Sequence, residues 1–156
     1  MQDSLRAAFE RHYVPLVRSC MLLTGSKHAA EDIVQEAFVR VAPRLSALGQ
    51  DEVRPYLRRS VVNLWKNHLR RLAVERRHRR DVHAGTSQED ALEDRHVVRR
   101  AVMRLPPRQR ACIVLRYFEG LREREVAQVL GCSVGTVKRH TSRALARQRQ
   151  ELGDEY

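Results

Sequence analysis

Apolar residues recur at three- and four-residue intervals along most of the chain, the spacing of helices that bury one face, and no segment alternates convincingly as a half-buried strand would. Leu5, Phe9, Tyr13, Leu16, Cys20 and Leu23 mark a first helix. Pro15 is expected to break or kink it, because proline offers no N–H and crowds the preceding turn. After Thr24 and Gly25, Ser26 is a suitable N-cap for a second helix. That helix carries Ala30, Ile33, Val34, Ala37 and Val41 on one face and Asp32, Gln35, Glu36 and Val39 on the other. A loop is expected from Pro43 to Asp51, and Pro55, suited to a first helical turn, is expected to open a long helix with Leu57, Val61, Leu64, His68 and Leu72.

The second half predicts a helix around Val97, Ala101 and Val102 that stops before Pro106 and Pro107. Another follows, with Ala111, Val114, Leu115 and Phe118 as its buried stripe and Gly120 as its end. From Leu121 onward, Ala127, Gly131 and Val137 are spaced as a helix-turn-helix requires. Alanine permits close approach, glycine accepts the left-handed backbone of the turn, and valine returns to the shared core. Ser133 caps the last helix. Val134, Val137, Thr141, Ala144, Leu145 and Gln148 follow one stripe, leaving Gly135, Thr136, Lys138, Arg139, Ser142 and Arg143 to face outward. Between Ser133 and Gln150 there are five basic residues and no acid, so this helix suits a DNA major groove.

Charge sharpens that picture. The 156 residues include 30 Lys plus Arg and 19 Asp plus Glu, a net charge of +11. Such a balance points to a polyanion, and nucleic acid is favoured because no apolar run approaches the ~20 residues of a spanning helix and no signal pattern begins the chain. The expected location is the cytoplasm, without membrane insertion. The long helix region from Arg54 to Arg80 holds ten basic residues and one acid, Glu75, whereas Asp32, Gln35 and Glu36 form an acidic patch suited to basic groups on a protein partner. Glu31 and Asp32 also suit the positive end of their own helix. Asp81 to Glu93 is polar and without apolar periodicity, and predicts a linker. The expected architecture is all-α, with two small helical domains at 1–80 and 94–156 joined by a flexible linker at 81–93; the second is a four-helix domain with the helix-turn-helix.

Catalytic chemistry is not indicated. There is no nucleophile constellation, phosphate loop or metal set, so the chain is expected not to be an enzyme, with no cofactor and no metal. Cys20, Cys112 and Cys132 lack disulfide or zinc spacing and are expected to be small buried residues. His28, His68 and His140 are read as structural or surface groups.

Three stretches, LLTGSKHAAEDIVQEAFVRV from Leu22, YLRRSVVNLWKNHLRR from Tyr56, and LPPRQRACIVLRYFEGLREREVAQVLGCSVGTVKRHTSRAL from Leu105, resemble the extracytoplasmic-function sigma factors of bacterial RNA polymerase, in the sigma-70 family. The resemblance implies promoter-specific transcription initiation. It implies that Asp32, Gln35 and Glu36, with Arg40 nearby, bind the clamp helices of the polymerase largest subunit. Arg59, Asn63, Lys66 and Asn67 would then face the unpaired -10 strand, and the loop Ser46 to Arg54 would pocket an extruded base. Tyr56 or Trp65 is a further stacking candidate, but either ring fits the core equally well. On the -35 duplex the implied residues are Ser133, Gly135, Thr136, Lys138, Arg139, Ser142 and Arg143. Core RNA polymerase, including its flap, and promoter DNA are the implied partners, with an anti-sigma factor as a further candidate. Arg122 stands where the family commonly has Ser or Thr, so the first helix of the helix-turn-helix is expected to lack its side-chain cap and to fray at its start, although Glu123 and Glu125 can still meet its positive end. The competing reading is a helix-turn-helix regulator that binds duplex DNA without serving as a polymerase subunit.

Overall fold

The computed structural model describes residues 2–78 and 93–154. Among them every regular element is helical and none is a strand. Chain contacts divide the protein into two compact units, one of Met1–Cys20 and Ser26–Ala91, the other of Met21–Gly25 and Leu92–Tyr156. The expected linker, apart from Glu93, lies outside the described residues.

Helix α1 (Gln2–Thr24) continues through Pro15 without a break. Proline forfeits one backbone bond, to the carbonyl of the exposed Arg11, where water can replace it. Burial of Leu16, Val17 and Cys20 immediately beyond holds the helix together. The apolar stripe is less completely covered than its spacing suggested, because Phe9 is 42% exposed. Ser26 caps α2 (Lys27–Val41) by accepting from the Ala29 N–H at 3.2 Å. Ala30, Ile33, Val34, Ala37, Phe38 and Val41 of α2 are buried, and α2 packs on α3.

The stretch expected as a loop is largely helical. A 3-10 segment occupies Ala42–Ala47, anchored by buried Leu45, and α3 spans Gln50–His78. Helix α3 therefore starts five residues before Pro55, which sits inside it. Glu52 supplies the reason, since its carboxylate accepts from the Gly49 N–H at 3.1 Å and satisfies one donor at the helix start. Pro55 then removes a bond only from the carbonyl of exposed Asp51. Leu57, Val61, Val62, Leu64 and Trp65 turn inward.

The second unit contains α4 (Glu93–Met103), α5 (Pro107–Ile113), α6 (Glu123–Leu130) and α7 (Val134–Asp154). Buried Arg110 donates from Nε to the Val102 carbonyl at 3.3 Å and from Nη2 to those of Met103 and Leu105 at 3.2 and 3.0 Å. A guanidinium thus closes the C-terminal end of α4, where carbonyls lack helical partners. Burial lowers its pKa from the ordinary value. Beyond α5 the helix widens to a π-turn at Val114–Phe118. Leu115, Val126, Val137 and Ala144 form the core between α5, α6 and α7.

Candidate polymerase and nucleic-acid interfaces

Helix α2 displays Asp32, Gln35, Glu36, Val39 and Arg40 to solvent while the residues between them are buried. Helical spacing places the exposed residues on one face, as the periodicity predicts. Capping does not explain the acids, because the first turn of α2 contains none. Their charges have partners of their own. Arg40 lies 2.8 Å from Glu36, and His28 Nε2 lies 3.4 Å from Asp32. Arg40 therefore belongs to the face through Glu36, and that ion pair and the His28–Asp32 contact are both exposed enough to open at modest cost to a competing partner.

On α3, Arg59, Asn63 and Asn67 recur every four residues and are exposed, with Lys66 half-buried beside them. Asn67 Oδ1 accepts from Arg70 Nη1 at 3.3 Å, which carries this polar line one turn further. The aromatic candidates separate. Trp65 is 2% exposed and belongs to the core. Half-buried Tyr56 accepts a hydrogen bond from Arg44 Nη1, whose guanidinium carbon lies 5.9 Å from the ring centroid. Arg44, which local spacing does not connect with the long helix, is thus joined to it. The region Ser46 to Arg54 contains only Leu48 and Gly49 outside helical segments, so it is not an extended loop.

The helix-turn-helix forms as expected. Gly131 has φ +71°, and its N–H and that of Cys132 both reach the Ala127 carbonyl, at 2.9 and 3.1 Å. Arg122 provides no side-chain acceptor, yet Glu125 accepts from the Arg122 N–H at 3.2 Å and secures the start of α6 that was expected to fray. Ser133 Oγ accepts from the Thr136 N–H at 3.1 Å and lies 2.8 Å from Thr136 Oγ1. Those two hydroxyls are thereby occupied in starting α7. Gly135, Lys138, Arg139, Ser142 and Arg143 are exposed, Thr136 is half-buried, and Val137, Thr141 and Ala144 point inward.

Lys138 corrects the expectation of a wholly unopposed cationic helix, because its Nζ lies 3.9 Å from Glu123 on α6. Half-buried His140 has its pKa lowered, first by burial and then by Arg139, Arg108 and Arg143. Arg108, on α5, is the member of this cationic group that sequence spacing does not reveal. The cysteine expectation also needs correction, since Cys132 is exposed whereas Cys20 and Cys112 are buried. Burial pushes those two thiols up to about 12 and about 11.

Phe118, expected on a buried stripe, is exposed together with Val97, Val98 and Tyr117. These four line a groove of about 450 Å³ in the second unit, bordered by Leu145 and Gln148 of α7. No helix of the described residues is long and apolar enough to cross a membrane.

Family models place these surfaces in known regions. Residues 8–74 match sigma-70 region 2, and residues 95–147 match sigma-70 region 4. The RNA polymerase sigma-E factor of Streptomyces avermitilis is 34% identical over 143 residues, spanning 88% of this chain and 78% of that protein. The chain belongs to the extracytoplasmic-function group of the sigma-70 family. It is an RNA polymerase sigma factor, with core polymerase and promoter DNA as its partners. The extracytoplasmic-function sigma factor SigM of Mycobacterium tuberculosis is 33% identical over 147 residues, covering 93% of this sigma factor and 75% of SigM. In fold, it resembles the sigma factor RpoE of Bartonella quintana, solved with the anti-sigma factor NepR, with a TM-score of 0.72 and 21% identity over 97% of this chain and 96% of that one. CnrH, solved with the cytosolic domain of CnrY, gives a TM-score of 0.71 and 24% identity over 100% and 92% of the two chains.

Proposed function

We propose that this sigma factor docks on the clamp helices of the polymerase largest subunit through Asp32, Gln35, Glu36 and Arg40, and captures the unpaired -10 strand along Arg59, Asn63, Lys66 and Asn67. Residues 1–80 carry these tasks. Residues 94–156 read the -35 duplex through the exposed start of α7, and 81–93 connect the two. The observation that carries this division is the segregation of charge: one exposed acidic face on α2, and exposed basic and amide groups on α3 and α7.

Each surface suits its partner chemically. Basic side chains follow a phosphate backbone, amides pair with base edges, and strand capture offsets the few kcal/mol spent on unstacking. No covalent step is needed, and the protein acts as a non-catalytic subunit in the cytoplasm. On α7, Arg139 is placed to read a base edge, while Ser133 and Thr136 chiefly order the helix start. The apolar groove at Val97, Val98, Tyr117 and Phe118 is the surface offered to the polymerase flap. The structural neighbour RpoE, solved with the anti-sigma factor NepR, supports a similar regulator here.

Charge reversal tests the reading. Asp32→Arg combined with Glu36→Arg should abolish binding to core polymerase at physiological salt while far-UV circular dichroism stays unchanged. Full affinity in that variant would remove α2 from the docking surface.

A further inference from the structure

The acidic face of α2 is joined by a group from α1. Tyr13 Oη accepts from Gln35 Nε2 at 3.3 Å, across 22 residues of sequence. With its amide nitrogen engaged, Gln35 leaves Oε1 available as an acceptor beside Asp32 and Glu36. The Tyr13 ring stacks on Phe9 at 4.3 Å between centroids with an interplanar angle of 20°. Phe38, from α2, lies 5.3 Å from Phe9 and 6.2 Å from Tyr13, and closes the cluster from below. Phe38 is buried, yet Phe9 is 42% exposed and Val39 is 72% exposed, the highest value among the large apolar side chains of the described residues. Burying such side chains is favourable, and Val39, one turn beyond Gln35 on α2, adds apolar area to a face that otherwise carries polar and charged groups.

We infer that Tyr13 is a positioning residue for polymerase binding: it presents Gln35 Oε1 outward and, with Phe9 and Val39, forms an apolar strip that receives an arginine-bearing helix of core polymerase. The inference rests on α2 being the docking face. Arginine suits this surface because its guanidinium satisfies carboxylates and an amide oxygen while stacking on an aromatic ring. Pinning Gln35 before the partner arrives lowers the ordering cost of association.

The test is a titration of intact sigma factor with purified core polymerase, using Tyr13→Phe, Gln35→Ala, the double variant, Val39→Ser and Asp32→Arg. Tyr13→Phe retains the ring and loses only the hydroxyl, so it should weaken binding about five-fold, the range of one net hydrogen bond. In the Gln35→Ala background the same change should have no further effect. Equal losses in both backgrounds would assign Tyr13 a packing role and overturn the positioning claim. An unaffected Tyr13→Phe variant would overturn it too, and an unaffected Val39→Ser variant would overturn the apolar strip. Asp32→Arg separates the two levels of argument: if it binds fully, the α2 reading itself is wrong, whereas if it alone is impaired, only the Tyr13 inference fails.

Discussion

Gly131→Ala isolates the turn that orients the recognition helix. The backbone there has φ +71°, and a Cβ would meet no atom within 4 Å, so the cost is conformational rather than steric. A left-handed L-residue costs roughly 1–2 kcal/mol, part of which reduced freedom in the unfolded chain offsets. The two N–H bonds to the Ala127 carbonyl can persist, because nothing displaces them. Helix orientation should therefore be retained while stability falls. Against a total of about 5 kcal/mol or more, a loss near 1 kcal/mol leaves almost all molecules folded. Urea denaturation of the intact protein followed by circular dichroism should show a lower midpoint for the second unit, with Gly131→Asn less affected because asparagine enters this region more readily. Discrimination of the -35 element by the holoenzyme should change less than about two-fold on this reckoning of folded population. Wild-type stability would refute the conformational argument, and a ten-fold loss of -35 recognition at full helicity would show that glycine serves the interface itself.

Arg139→Ala should cost about 1–3 kcal/mol and relax preference at one -35 position if Arg139 makes a bidentate base contact, or weaken all sequences alike if it meets phosphate; binding to a randomised -35 library distinguishes the two. Combined Asn63→Ala and Lys66→Ala changes should leave core binding intact and reduce permanganate reactivity of the -10 strand, with partial rescue of initiation on a pre-melted template. His140 should make duplex binding pH-dependent. Its lowered pKa keeps it neutral in the free protein, and nearby phosphates would raise that pKa, so affinity should increase as pH falls through the interval between the two values. His140→Asn should flatten that slope in fluorescence anisotropy. In the absence of DNA the sign reverses, because the unfolded chain binds the proton more readily and stability falls as pH drops below 6.5 towards the lowered value.

The helical periodicities of α2 and α7 convey most of the fold, because each buries one continuous face and caps itself with a nearby serine, Ser26 or Ser133. Proline was a poorer guide. A local rule weighs one lost bond at Pro15 or Pro55, but burial of Leu16 or Leu57 just beyond it decides whether the helix continues. Periodicity likewise identifies the apolar side of a helix without showing where its neighbour ends, so Phe9 and Phe118 emerge exposed from stripes that otherwise enter the core. Contacts between helices lie further from the reach of local pattern: Glu123 meeting Lys138, Arg44 meeting Tyr56, and Tyr13 holding Gln35 all depend on packing. Glu125 is an intermediate case. Its position three residues after Arg122 signals a capping-box acceptor even though the partner side chain cannot complete the box.

Reconstituted transcription tests most directly whether two DNA-reading surfaces and a polymerase-docking face on one chain direct core polymerase to a promoter. Core polymerase and this protein should be combined on a promoter selected from the protein's own genome, with the -35 and -10 elements replaced separately and together. Specific initiation should occur only when the protein is added, fall markedly when either element is replaced, and be lost with the Asp32→Arg and Glu36→Arg variant on the intact promoter. Duplex binding by the protein alone, with no dependence of initiation on its addition to active core polymerase, would contradict that mechanism.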